Sequence, residues 1–216
     1  MRQTGNYLFL LVFLFFSLVL VMSIRNIFLV KCLGLCLIFG LCLSAYLITR
    51  RHRDQLILIP LGLVALAVYV LLNTSGEPNF LKLLNKLLWM VFSGYLMLLI
   101  YRQLYNAKTI NSQEIYGAIS VYVLLGFFFA QIYEILMVIE PSAISFDPKN
   151  FGGGLLQGGD VIYFSFVTLA TVGYGDITPA TPSARAACVI ESVIGIMYIA
   201  TFIARFVSIH SGRSVK

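Results

Sequence analysis

The stretch Thr171-Val172-Gly173-Tyr174-Gly175-Asp176, reading TVGYGD, decides how the rest of the chain is read. Its two glycines stand at alternate positions. Glycine takes positive φ at little cost, and alternating such residues lets successive peptide units point the same way. Immediately before it, Val161–Ala170 is apolar but only ten residues long. A hydrocarbon core of about 30 Å needs about 20 helical residues, so this piece is too short to cross. It reads as a re-entrant helix that delivers the loop. Beyond the loop, Ala187–Ile209 is long enough to span.

Composition puts both pieces in a membrane. Of 216 residues, 60% are hydrophobic and 11% charged, with a mean hydropathy of +0.92. A soluble globule carries roughly 25% charged residues. The fifteen Lys and Arg residues behind the net charge of +6 are scattered between apolar runs. They read as topology signals, which argues against nucleic acid as a partner. Cys32, Cys36, Cys42 and Cys188 all fall within apolar runs without metal or redox spacing, and read as small buried groups. The N-terminal run imitates a signal peptide, but no small-x-small cleavage site precedes Arg25. Retention as a first transmembrane helix is the expectation.

Six spans follow: Tyr7–Ile24, Cys32–Thr49, Gln55–Leu72, Leu83–Tyr101, Ile115–Ile139 and Ala187–Ile209. With both termini inside, the inner side carries nine basic residues: Arg2, Arg50, Arg51, Arg53, Arg102, Lys108, Arg205, Arg213 and Lys216. The outer side carries six: Arg25, Lys31, Lys82, Lys86, Lys149 and Arg185. The short-loop cluster at 50–53 is of the kind that stays cytoplasmic. The expectation is a multi-pass cell-membrane protein with TVGYGD at the outer face. Asn73-Thr74-Ser75 matches a glycan acceptor but reads as a turn before Gly76 and Pro78. The outer loop with Pro148, Gly152, Gly153, Gly154, Gly158 and Gly159 lacks the Lys-Ser/Thr of a phosphate cradle and reads as a flexible turret.

From about Ile115 to Ser208, nearly half the chain, the sequence resembles the potassium channel family; Tyr163–Pro179, YFSFVTLATVGYGDITP, is the specific part. The resemblance implies a filter in which backbone carbonyls replace the water shell of a K+ ion. It assigns the carbonyls of Thr171, Val172, Gly173 and Tyr174, with the Thr171 hydroxyl, as ion ligands. Gly173 and Gly175 allow the carbonyl alignment, while Val172 and Tyr174 point outward against the pore helix. One filter strand cannot encircle an ion, so four copies, a homotetramer, are required. The pore helix, roughly Asp160 to Thr168, aims its partial negative end at the cavity, with Asp160 as its cap. The fold expected is all-α: six transmembrane helices, a re-entrant pore helix and a filter loop, assembled as a tetramer.

Departures from familiar filters concern the support. Tyr163 and Phe164 stand where a tryptophan pair is common, so the Tyr163 hydroxyl is expected to reach Asp176. Phe164 cannot donate, and the Tyr174 hydroxyl would then turn to Thr168 of a neighbouring subunit. Val167 occupies a place where some channels carry a carboxylic acid. Glu134 and Glu191 lie near the outer ends of the fifth and sixth spans. Bracing of the scaffold is the expected role, with Arg185 or backbone groups as candidate partners. Gly195 resembles a gating hinge, with close helix packing as the competing reading. Ile196, Ile199, Ile203 and Val207 recur at helical spacing, fit for an inner pore lining or for lipid and core packing.

Residues 1–110 occupy the place of a voltage sensor and 111–216 that of a pore domain. The fourth span has only Lys82 and Lys86, both near its outer end, and the only acid between Tyr7 and Leu72 is Asp54, read as a loop residue. Moving one charge through the full potential is worth about 2.3 kcal/mol per 100 mV, and these lysines cross little of it. The first domain is therefore expected to be insensitive or weakly sensitive to voltage. The seven residues after Ile209 leave no room for a soluble regulatory domain. The compact loops suit a prokaryotic channel. His52 and His210 lack catalytic partners and no nucleotide loop is present, so no enzyme activity and no cofactor beyond permeant K+ is expected. The alternatives are a potassium uptake transporter subunit, a weakly selective cation channel and a non-conducting modifying subunit. A transporter would usually place four degenerate loops in one chain, whereas TVGYGD occurs once.

Overall fold

The computed structural model describes residues 7–23, 39–44, 46, 48–49, 52–72, 79–107, 111–151 and 156–211. In chain order these form α1 (Tyr7–Ser23), α2 (His52–Leu72), α3 (Asn79–Tyr105), α4 (Ser112–Ile139), β1 (Ile144–Phe146), a 3-10 turn (Pro148–Phe151), α5 (Gly158–Leu169), β2 (Ile177–Pro179) and α6 (Pro182–Ser211). Among the described residues four helices are long and apolar enough to cross a membrane: α2, α3, α4 and α6. The protein is thus a mostly helical membrane chain. α1 has 17 residues, about 26 Å of helix. Most of the expected span over 32–49 lies outside the described residues, with Cys32 and Cys36. So do Arg2, Arg25, Lys31, Arg50, Arg51, Lys108, Arg213 and Lys216, the acceptor at 73–75 and the glycines at 152–154.

α4 is the helix on which α1, α3, α5 and α6 lean. It starts where Asn111 ends the extended chain, and Glu114 Oε2 accepts from the Asn111 amide at 2.9 Å. Such a box satisfies a donor that the first turn would leave orphaned. Small residues then let neighbours come close, as packing between apolar helices requires. A Cβ at Gly126 would lie 2.5 Å from the Phe166 ring of α5, and one at Gly117 would press on Leu104 and Tyr7. Asp54, read from sequence as a loop residue, sits in the first turn of α2, where the Tyr95 hydroxyl donates to it at 3.1 Å. The helix begins earlier than expected because an acid favours the positive end of its dipole.

The apolar interior has two parts. One joins α1, α3, α4 and the lower half of α6 through Leu10, Leu14, Phe92, Leu96, Ile100, Leu124 and Phe202. The other wraps α5 with Phe129, Tyr133, Val161, Phe164, Leu169, Ile177 and Ala187. Polar ties join α3 to α4 and to α6 at opposite ends of the bundle. At one end Lys86 Nζ of α3 meets Glu134 Oε2 of α4 at 2.6 Å, both side chains partly buried. At the opposite end the Arg205 guanidinium of α6 donates to the carbonyls of Leu104, Tyr105 and Ala107 and lies over the Tyr105 ring at 4.9 Å. Leu104 and Tyr105 close α3 and Ala107 lies two residues beyond it, where a helix end leaves carbonyls that a basic side chain can take; the Leu104 carbonyl also accepts from the Ala107 amide at 3.1 Å.

A short ribbon, not anticipated from sequence, ties down the segment after TVGYGD. β1 and β2 pair antiparallel with Ile144 opposite Pro179, Ser145 opposite Thr178 and Phe146 opposite Ile177. The Ala180 amide extends it to the Ala143 carbonyl at 2.9 Å.

A double-mutant cycle on Lys86→Met and Glu134→Gln, read by thermal unfolding of detergent-purified protein, is expected to give a coupling of about 1.5–3 kcal/mol, the range of a hydrogen bond between charged groups. Strictly additive single effects would show that the pair does not join the two parts.

Candidate functional site

The site is built on the twelve residues of α5, about 18 Å of helix. Its N-terminus is closed by a reciprocal box. Asp160 is the third helical residue and not the first cap, and its Oδ2 accepts from the Gln157 amide at 2.9 Å. Its negative charge also faces the positive end of the helix dipole.

The C-terminus generates the loop. Thr171 N–H bonds the Thr168 carbonyl at 2.9 Å and Val172 N–H bonds the Val167 carbonyl at 2.9 Å. Thr171 itself has φ 58. This is a Schellman ending with threonine in the left-handed position usually held by glycine. A β-branched residue there is an outlier that costs about 1–2 kcal/mol. Gly173 N–H reaches the same Val167 carbonyl at 3.4 Å. Val167 therefore supports the loop through its backbone, while its side chain supplies no polar group.

Gly173 has φ 58 and Gly175 φ 80, while Val172 and Tyr174 between them keep negative φ. The sign thus alternates over five residues, the pattern that turns successive carbonyls to one side. A Cβ at either glycine would meet no atom within 4 Å, so in the single chain glycine is required there by conformation and not by space. All five residues from 171 to 175 are exposed, Val172 at 50% and Tyr174 at 70%.

Support comes from α5 and from the strand that follows the loop. The Tyr163 hydroxyl donates to Asp176 Oδ2 at 2.8 Å, and Asp176 Oδ1 accepts from the Ile177 amide at 3.0 Å. One carboxylate so links α5 to β2. Burial first, and then this hydrogen bond, pushes the Tyr163 phenol up to about 12, which keeps it a donor through the physiological range. The Tyr163 and Tyr174 rings lie parallel, 6.4 Å apart. Phe164 is buried edge-on against Tyr133 at 4.8 Å. The Thr168 carbonyl also receives Ser192 Oγ at 3.4 Å, from α6.

Neither Glu134 nor Glu191 uses Arg185, whose Nε reaches the Pro179 carbonyl at 3.4 Å. Glu134 takes Lys86. Glu191 is fully buried and contacts Tyr133 and Ser165, two residues that sequence reasoning passed over because hydroxyls in apolar runs are common. Gly195 lies against the end of α5, where a Cβ would sit 2.6 Å from the Leu169 carbonyl oxygen. Ile196, Ile199, Ile203 and Val207 are exposed on the single chain, at 57%, 45%, 59% and 59%. Among the described residues no group of three His, Cys, Asp or Glu could hold a metal.

Two substitutions test this geometry. Gly195→Ala is expected to cost about 1–3 kcal/mol by thermal unfolding, since a backbone oxygen cannot move aside as a side chain would. Thr171→Gly relieves the left-handed strain and adds chain entropy, so stability is expected to stay level or rise by about 1 kcal/mol. A large loss of Tm on Thr171→Gly would mean that the threonine side chain holds the fold.

Comparison with known proteins bears on the same segment. The ion channel family model matches residues 118–211. A relative described as two pore potassium channel c, from Oryza sativa subsp. japonica, is 35% identical over 86 residues, 40% of this chain. The match covers 19% of that relative's own length. No solved structure matches. Residues 118–211, which hold α5, the TVGYGD loop and α6, are thus similar to the ion channel family and in part to a potassium channel.

Proposed function

We propose that the protein is a potassium-selective channel that conducts K+ passively through a homotetrameric pore. The observation that carries this reading is the alternation of φ sign at Thr171, Gly173 and Gly175 in a loop hung from the end of a re-entrant helix. Carbonyls aligned in this way replace the hydration shell of an ion. The ligands are the carbonyls of Thr171, Val172, Gly173 and Tyr174 with the Thr171 hydroxyl, which gives a reason for a threonine in a strained position. The name of the matched relative supports potassium as the ion.

One loop per chain supplies one quarter of a ring, so four copies surround the ion. The exposure of Val172, Tyr174 and the apolar face of α6 supports this, because such surfaces need a neighbour or lipid. In the ring the Tyr174 hydroxyl turns to Thr168 of a neighbouring subunit. Asp176, Tyr163, Val167 and Thr168 hold the filter, and Asp160 fixes the pore helix. Ile196, Ile199, Ile203 and Val207 line the inner vestibule, and close contact at Gly195 sets where α6 can bend. Residues 1–110 form a first membrane domain and 111–216 the pore domain, six spans in all with both termini cytoplasmic. Voltage sensitivity is weak, since Lys86 is tied to Glu134 and not free to cross the field.

Rubidium and sodium uptake into liposomes containing the purified protein tests the reading. Rubidium flux is expected to exceed sodium flux by on the order of a hundredfold, a discrimination of about 2.7 kcal/mol, and Gly173→Ala is expected to abolish it. Equal fluxes would leave a weakly selective cation channel. Tetramers without flux would leave a modifying subunit.

A further inference from the structure

Glu191 is a carboxyl group with no accessible surface, on the helix that follows the filter. Its Oε2 accepts from the Tyr133 hydroxyl of α4 at 2.6 Å, and its Oε1 lies 2.5 Å from Ser165 Oγ of α5. Tyr133 also touches Cys188 Sγ, at 3.3 Å. Among the described residues no lysine, arginine or histidine pairs with Glu191. Three helices thus meet at one carboxyl, behind the filter and without a counter-charge.

The protons at this meeting point can be counted. A serine hydroxyl has a single hydrogen and can donate only once. Ser165 Oγ lies 2.8 Å from the Gly126 carbonyl of α4, an oxygen that can only accept. It also lies against Glu191 Oε1. If Glu191 were ionised, both neighbours of Ser165 would be acceptors and one contact would have no hydrogen. A buried carboxylate would then rest on two neutral hydroxyls alone, a costly arrangement far from water. If Glu191 carries its proton, every contact closes. Tyr133 donates to Glu191 Oε2, Glu191 Oε1–H donates to Ser165 Oγ, and Ser165 donates to Gly126.

We infer that Glu191 is held as a neutral carboxylic acid and acts as a hydrogen-bond donor that positions the pore helix. The chain Tyr133→Glu191→Ser165→Gly126 has one direction. It pins α5 at Ser165, two residues before Val167, whose carbonyl carries the amides of Val172 and Gly173. Glu191 touches no ion; it positions the group that positions the filter. Glutamine keeps one acceptor and one donor at the same reach, whereas leucine keeps neither.

This inference rests on the channel reading for its flux arm but not for its spectroscopic arm. Infrared spectra of the folded wild type should show a protonated-carboxyl C=O band that is absent from Glu191→Gln. In the liposome assay Glu191→Gln should keep the rubidium-over-sodium ratio within about twofold, while Glu191→Leu and Ser165→Ala should lower it on the order of tenfold, as loss of a buried hydrogen-bond partner implies. If Glu191→Leu fails to assemble, Ser165→Ala and the spectrum carry the test. The absence of a band that depends on Glu191 would overturn the neutral state. Loss of selectivity in Glu191→Gln as large as in Ser165→Ala would overturn the donor role. Failure of the wild type to conduct, with the band present, would count against the channel reading and leave the neutral acid standing.

Discussion

The loop from Thr171 to Gly175 has no strand beside it among the described residues, and its first three amides are all held by the last turn of α5. A helix end normally leaves its final carbonyls without donors. Here those carbonyls are the anchor of the loop, so the ending of the helix and the placing of the loop are one event. Any tilt of α5 is passed to the loop without slack. This explains why so much of the surrounding structure is devoted to fixing a twelve-residue helix.

α5 is fixed from every side by a different kind of contact. The Gln157–Asp160 box closes its start. Ring packing of Phe164 on Tyr133 and of Phe166 against Gly126 sets its distance from α4. Gly195 lets α6 approach the Leu169 carbonyl, which the Tyr122 hydroxyl also reaches at 3.4 Å. Tyr163 and Asp176 then connect the helix to the ribbon of β1 and β2. In an apolar medium each unsatisfied polar group is expensive. The hydroxyls of Tyr122, Tyr133, Ser165 and Tyr198 accordingly find acceptors on other helices, and these directional bonds give the apolar packing a defined register.

The positions of α3 to α6 were legible in sequence because length and apolar run fix them, and the loop because alternate glycines leave few conformations. The Tyr163–Asp176 contact could be anticipated from one residue type standing in for another at known spacing. What sequence did not reveal depends on partners far apart in the chain. Glu134 and Glu191 were visible as acids in apolar runs, yet nothing local says that one meets Lys86 and the other Tyr133 and Ser165. The β1–β2 ribbon is only three residues a side, too short for a period of two to stand out. Asp160 does cap the start of α5, but from the third helical position, a distinction set by geometry and not by composition.

The Arg205 contact gives α6 two fixed points of different character. At Gly195 the helix bears on the Leu169 carbonyl with no room to approach further. At Arg205 it is hooked to the last carbonyls of α3 by one flexible side chain. The ten helical steps from one to the other make an arm of about 15 Å. An arm with a hard bearing at one end and a soft hook at the other holds the half of α6 beside the loop more rigidly than the half beyond it. The seat of the TVGYGD loop is thereby set by backbone contact, and the far half of α6 by a side chain that can change its rotamer.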